Sequence, residues 1–365
     1  MRKGMFALAA VGLLATGSMA ACGDDSGSDS GSTGGSSVGK VGVILPDTAS
    51  SQRWGTDDPK FLKAAFDAAG VPVDIQNAQG DKTQFQTIAD GMISSGVKVL
   101  MIVNLDSGTG KAVLDKAKNA GIATIDYDRL TLNGGANYYV SFDNVAVGKL
   151  QGEGLVKCLT DMKAAKPVVA ELNGSPTDNN ATLFKQGYDS VLKPKYDSGD
   201  YAKGPDQAVP DWDNAQAGTI FEQMLTEKKD IKGVLAANDG LGNAVISVLK
   251  KNKLNGKVPV TGQDATVQGL QNILVGYQCM TVYKAIKQEA DAAADLAISL
   301  AKGEKKEVSQ SVTDPESKAA VPSVLLTPKA IFKDSVKDVV ADGFVTKEQL
   351  CTGDFAKLCA DNGIS

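Results

Sequence analysis

Short, continuously apolar runs alternate with amphipathic helical stretches along most of this chain, and that alternation constrains the fold more than any other feature. "VGKVGVILPD" at 38–47 precedes "PKFLKAAFDAAG" at 59–70, where Phe61, Leu62, Ala65, Phe66 and Ala69 share one helical face. Asp58 is expected to cap that helix and Pro59 to open it. "VPVDIQNA" then leads into "DKTQFQTIADGMISSG", with Phe85, Ile88, Ala89, Met92 and Ile93 on one face, and "VKVLMIVN", "IATIDYD" and "YYVSFD" continue the series. The strands are apolar throughout rather than alternating, as required when helices cover both faces of a parallel sheet. After a long helix, "NVAVGKLQGEGLVKCL", the pattern restarts with "KPVVAELNG", "IKGVLAAND" and "KVPVTGQD" between helical stretches. The fold class is α/β, with two doubly wound lobes in tandem.

The N-terminus reads as a processing signal. Residues 1–21 begin with Arg2 and Lys3, continue through an apolar stretch too short to span a bilayer, and end in small residues before Cys22. That arrangement reads as a lipoprotein signal peptide with lipidation of Cys22. Residues 22–38, rich in Gly, Ser and Asp, form a flexible tether. The protein is therefore expected at the outer face of a cytoplasmic membrane, held through a lipid anchor only.

The composition excludes several functions. The chain carries 38 Lys and Arg against 43 Asp and Glu, and Arg2 and Lys3 leave with the signal peptide, so the remainder is more acidic than the whole chain's −5. No basic patch points to nucleic acid. Histidine is absent, which removes the commonest general base and metal ligand. No calcium-loop spacing occurs, and neither a metal nor a cofactor is expected. "SGTGK" at 107–111 falls short of a phosphate-binding loop, because Leu105 stands where a glycine is needed and Ala112 where Ser or Thr would hold the metal. Four cysteines remain after Cys22. Cys351 and Cys359 are close in sequence and expected to pair; Cys158 and Cys279 either form a second bridge or stay as buried thiols.

Nearly every apolar strand stops in polar residues: "PDT", "NLDS", "DYDR", "NGSPTDNN", "ANDG", "GQDA". Ligands of open parallel sheets sit outside the carboxyl ends of the strands, so two facing lobes would line a polar cleft. Only three arginines occur, Arg2, Arg53 and Arg129, and only two tryptophans, Trp54 and Trp212. All of these except Arg2 fall at such strand ends or in loops beside them. An arginine fork can satisfy two ring oxygens at once, and an indole offers a flat apolar wall, a combination suited to a sugar.

"QRW", "YDR", "SFDN", "GSPTDNNA", "AANDG", "GQDA", "MTVYK" and "PSVLLTP" occur in this order, and the chain resembles the D-xylose-binding proteins of bacterial ABC importers, in the type I periplasmic-binding-protein superfamily. The resemblance covers about residues 40–350. It implies two Rossmann-like lobes joined by a three-segment hinge, closing over one pyranose without catalysis. It places 39–145 plus 282–320 in the N-terminal lobe, 146–281 plus 321–350 in the C-terminal lobe, and leaves 351–365 as a C-terminal extension. It makes Arg53, Trp54, Asp128 and Arg129 ligand contacts from one lobe, and Asn179, Asn180, Trp212, Asn238, Asp264 and Lys284 complete the set. Asn180 could instead cap the helix that starts there, and Asp239 reads as a helix cap rather than a contact. The implied partners are a monosaccharide, most readily D-xylose, and the permease and ATPase subunits of an importer, with the binding protein a monomer. A chemosensory receptor for another pentose or hexose is the nearest alternative. A glycoside-acting enzyme using acids such as Asp128 and Asp264 is a more distant one.

Overall fold

The computed structural model describes residues 38–364, which belong to one compact unit. In chain order the first part runs β1 (Val41–Leu45), α1 (Asp57–Ala68), β2 (Val73–Asn77), α2 (Lys82–Ser94), β3 (Val99–Ile102), α3 (Ser107–Asn119), β4 (Ala123–Tyr127) and β5 (Tyr138–Phe142). The second part runs α4 (Asn144–Asp161), β6 (Val168–Asn173), α5 (Asn179–Asp197), β7 (Ala202–Ala208), α6 (Asn214–Glu227), β8 (Ile231–Ala236), α7 (Asp239–Lys251), α8 (Val267–Val275) and β9 (Thr281–Tyr283). The chain then returns through α9 (Ile286–Ala301), β10 (Gln310–Thr313), β11 (Ala320–Leu326) and β12 (Lys329–Ile331). It ends in three short helices, α10 (Val336–Ala341), α11 (Lys347–Leu350) and α12 (Phe355–Asp361).

The larger sheet has the order β10-β11-β5-β4-β3-β1-β2, parallel except for β10. Its continuous apolar strands are explained by their two covered faces. Val41, Val43, Val99 and Met101 pack with Leu62 and Phe66 of α1 and Ala290, Ala293 and Ala297 of α9. Ile44, Leu100 and Ile102 point the other way, onto Phe85, Ile88 and Met92 of α2 and Val113 and Leu114 of α3.

The second sheet, β7-β6-β8, is also parallel. Beyond β8 it continues through 259–264: Val234 and Thr261 exchange backbone bonds with Pro259 and Val234, and Val282 donates to Gly262. This brings in β9 and its antiparallel partner β12. Helices α4 and α5 pack backbone to backbone through glycines. A Cβ on Gly148 would lie 1.9 Å from the Phe184 carbonyl oxygen, and one on Gly187 2.2 Å from that of Val145. Only glycine fits either position, and the contact fixes the first half of α5 against the start of α4.

The chain passes between the two lobes three times, after β5, after β9 and after β11, and the Asp143 amide donates to the Leu326 carbonyl where two passages run side by side. Two boundaries differ from the sequence reading, and the first, expected at 281/282, falls inside β9 of the second lobe. The switch expected at 320/321 falls inside β11, which pairs with β5 from Ser323 to Leu326, so the chain leaves the larger sheet only after Leu326. The cysteines pair as Cys158–Cys279 and Cys351–Cys359. No helix among the described residues is long and apolar enough to cross a membrane. Cys22 and the signal peptide lie outside the described residues.

Candidate functional site

The carboxyl ends of both sheets face one another, and the loops leaving them converge on an inner pocket. It is lined from the first lobe by Ser50, Ser51, Arg53, Trp54, Asp128 and Arg129, and from the second by Asp178, Asn180, Phe184, Trp212, Asn238, Gln263 and Asp264, with Lys284 entering from the second passage.

Arg53 organises the first lobe's share. It is 3% exposed. Its Nε and Nη2 donate to the two oxygens of Asp58 at 2.8 and 2.7 Å, Nη2 also donates to Glu289 at 2.6 Å, and Nη1 donates to Asp128 at 2.8 Å. The guanidinium lies over the Trp54 ring, 4.1 Å from its centre, and Arg129 stands 5.7 Å from the same ring. Lysine could not replace this arginine, because only a planar fork spans three carboxylates while stacking on an indole.

The second lobe supplies complementary partners. Asn180 Nδ2 donates to the Asp128 carbonyl at 3.0 Å and to its carboxylate at 3.1 Å. Lys284 Nζ lies 3.1 Å from Asp264 and 4.0 Å from Asp128. Asp178 receives the Trp212 indole N–H at 3.1 Å and stands 3.1 Å from Arg129 Nε. The Trp212 ring is seated on Gly174, where a Cβ would lie 2.1 Å from the indole. Asp128, Trp212 and Asp264 adopt φ values of 63°, 56° and 96°. Non-glycine residues in that region cost energy that neighbouring structure must hold in place, and such positions cluster at functional sites.

Burial alone would push the Asp128 carboxyl up, but Arg53, Lys284 and Arg129 together hold it below the usual carboxylate range. Burial opposes the charge on Lys284, and Asp264 and Asp128 outweigh it, so the ammonium is held more firmly than in water. Burial pushes Glu289 up to about 8, since Arg53 is shared with Asp128 and Asp58. Apart from Glu289, the cluster is a set of fixed charges and dipoles. Among the pocket-lining side chains, Gln263 Oε1 is buried with neither a hydrogen-bond nor an ion-pair partner. Buried polar atoms are nearly always satisfied, so an amide oxygen left unpaired in this pocket suits a ligand that donates to it.

Nine of the ten residues named from the sequence meet in this pocket. Asn179 does not: it is the first residue of α5, half-buried, and absent from the pocket lining. Asp178 caps α5 instead, accepting from the Asn180 amide, which frees the Asn180 side chain for Asp128. Two further helix starts differ from the sequence reading. Asn238, not Asp239, caps α7, accepting from the Leu241 amide, while Asp239 is fully buried and accepts from Thr266, Gln278 and Thr281. Asp58 does not cap α1, whose N-cap is Thr56; it is consumed by Arg53. Ser50, Ser51, Asp178, Phe184 and Gln263 were not anticipated, though each lies within five residues of one that was.

A protein-family model described as a periplasmic binding protein domain matches residues 41–305. The chain belongs to the periplasmic binding protein family. Among relatives of this family, the D-xylose-binding periplasmic protein of Haemophilus influenzae is 36% identical over 315 residues, covering 85% of this chain and 92% of the relative. A multiple sugar-binding periplasmic receptor from Rhizobium radiobacter is 36% identical over 320 residues, covering 84% and 90%. A solute-binding protein of an ABC transporter from Clostridium phytofermentans, solved with bound β-D-glucose, aligns with a TM-score of 0.78 at 29% identity, covering 85% of this chain and 99% of that one. A carbohydrate transporter solute-binding protein from Chloroflexus aurantiacus, in complex with D-glucose, gives 0.77 at 27%, covering 85% and 97%. The α/β fold with parallel sheets is that of the family, and family membership makes this an exported protein.

Proposed function

We propose that this protein is the extracytoplasmic substrate-binding lipoprotein of an ABC importer, and that it captures one monosaccharide, D-xylose first among candidates, between its lobes. The observation that carries this reading is the convergence of fixed donors, acceptors and two indoles from both lobes on one pocket. The relatives named for xylose and the neighbours solved with glucose support a pyranose as the ligand class.

The lobes already touch through the site. Ser51 Oγ donates to Asp264, Asn180 to Asp128, and Asn238 to the Ser50 carbonyl. The inner pocket measures about 30 Å³, the space of roughly one water molecule. A pyranose therefore enters when the lobes part, and its hydroxyls replace these bonds on reclosure. The closed state gains ligand contacts that the open state lacks, so the sugar shifts the equilibrium toward closure. A micromolar affinity needs a net of about 8 kcal/mol, within reach of several satisfied hydrogen bonds and indole contacts. The site stabilises a bound ground state and assigns no residue to a reaction.

In this reading Cys22 carries the lipid, 22–38 is the leash, and the monomeric domain hands its sugar to the permease. A receptor that passes the bound sugar signal to a membrane sensor would use the same pocket, and growth of a deletion strain on xylose separates the two: loss of uptake supports transport. Calorimetric titration with xylose, glucose, ribose, galactose and arabinose tests the ligand class itself.

A further inference from the structure

Beside the inner pocket lies a second, larger cavity of about 470 Å³, whose lining includes Gln79, Lys82, Leu105, Asp211, Trp212 and Asn214. It shares Ser50, Arg129, Asp178 and Trp212 with the inner pocket, so the two spaces are continuous across the Trp212 indole.

This cavity is not simply the mouth of an open cleft. The lobes are in contact at Ser51–Asp264, Asn180–Asp128 and Asn238–Ser50, and Asn214 Nδ2 reaches across to the Ala49 carbonyl at 3.1 Å on the cavity's own wall. With these contacts made, the inner space is the size of a water molecule while the outer one has a volume typical of small-molecule sites. One lining atom, the Asn214 Oδ1 acceptor, is buried without a hydrogen-bond partner, while Arg129 Nε is held 3.1 Å from Asp178.

The lining also indicates the charge of what fits there. Lys82 is paired with Asp106 at 2.9 Å, Asp213 is spent on the first turn of α6, and Asp47 on the Ala49 and Ser50 amides. With those charges answered inside the protein, the Asp211 carboxylate and Asn214 Oδ1 remain as acceptors, so the cavity suits a hydroxyl-bearing ligand that donates to them and lays a flat face against Trp212 and Leu105.

We propose that the cleft holds two sugar rings, with a terminal pyranose in the inner pocket and a second, glycosidically linked ring in the outer cavity. The ligand class then includes disaccharides or glycosides of the captured monosaccharide. This rests on the monosaccharide reading of the inner pocket, and the experiment separates the two.

The purified protein is titrated calorimetrically with xylose and glucose, and with xylobiose, cellobiose and maltose. The variants Leu105→Trp, which fills the outer cavity, and Lys82→Ala, which alters its wall with little demand on folding, are titrated in parallel. The expected result is one-to-one binding of at least one disaccharide. Leu105→Trp should weaken that binding tenfold or more and Lys82→Ala severalfold, with the monosaccharide affinity within twofold of the parent. Monosaccharide binding with no disaccharide binding overturns the two-ring proposal alone. Equal loss of monosaccharide and disaccharide binding in both variants also overturns it, because the outer cavity would then be the monosaccharide's own seat. If nothing binds, the inner-pocket reading falls and takes this proposal with it.

Discussion

Arg53 lies over the ring of its own neighbour, Trp54, with the guanidinium 4.1 Å from the indole centre. The stacked face leaves the edge of the fork free, and that edge donates to Asp58, Asp128 and Glu289. The pair explains why a chain that relies on lysine for its positive charge keeps an arginine here. Arg53→Lys retains the charge but leaves part of a buried carboxylate cluster unpaired, which costs stability as well as binding. The expected outcome is sugar affinity weaker by on the order of tenfold, about 1.4 kcal/mol, together with a lower Tm. Calorimetry and thermal unfolding of the same preparation check it; unchanged affinity removes Arg53 from the site.

Glu289 sets a pH dependence of stability. Burial, reinforced by Asp128 and Asp58 and opposed by Arg53, raises it from an ordinary value of 4.5 to about 8. The folded protein then holds this proton more tightly than the unfolded chain does. The stabilisation is complete below pH 4.5 and is lost as pH rises through about 8. Asp126 and Asp239, raised by burial to about 7, act in the same direction. Tm is expected to fall between pH 6 and pH 9, and Glu289→Gln to flatten part of that fall. A Tm that climbs across the window would contradict the assignment.

Much of this was legible in the sequence, and the misses share a cause. Continuous apolar strands between amphipathic helices point to the layered sheet and polar strand ends to a cleft, while the family resemblance supplies Arg53, Asp128, Asn180, Asn238 and Asp264 as its contacts. Asp58 was misread because an acid before a proline at a helix start is usually a cap, and only tertiary packing shows that it faces Arg53. Glu289 sits in α9 among Ile286, Ala290 and Ala293, on the face packed against the sheet. An acid on an apolar helix face was the available signal, and its partner lies 236 residues away in the chain. Closure itself has no local signature, because it depends on bonds between loops of different lobes.

The Cys158–Cys279 bridge ties α4 to the segment entering β9 across 121 residues, whereas Cys351–Cys359 closes a separation of only 8. Constraint of the unfolded chain grows with the loop closed, so loss of the first bridge should cost more, about 2–5 kcal/mol. Cys158→Ser with Cys279→Ser should lower Tm further than Cys351→Ser with Cys359→Ser. Thiol titration of the unreduced, denatured protein should detect none of these four cysteines.

The proposed anchor at Cys22 has its own test. The parent protein should partition with membranes and carry the mass of a diacylated cysteine, and Cys22→Ser should release it into the soluble fraction. A parent protein found soluble and unmodified would replace the anchor with an ordinary cleaved leader.

Both tryptophans are buried in the candidate site, at 3% and 5% exposure, so any ligand there reports on indole emission without a label. The most direct measurement is a xylose titration of the purified protein, followed at once by heat and by tryptophan fluorescence. The account predicts saturable one-to-one binding with a micromolar Kd, and an emission change that is reduced in Trp212→Phe. A folded protein that shows neither heat nor emission change with xylose or any other monosaccharide would contradict it.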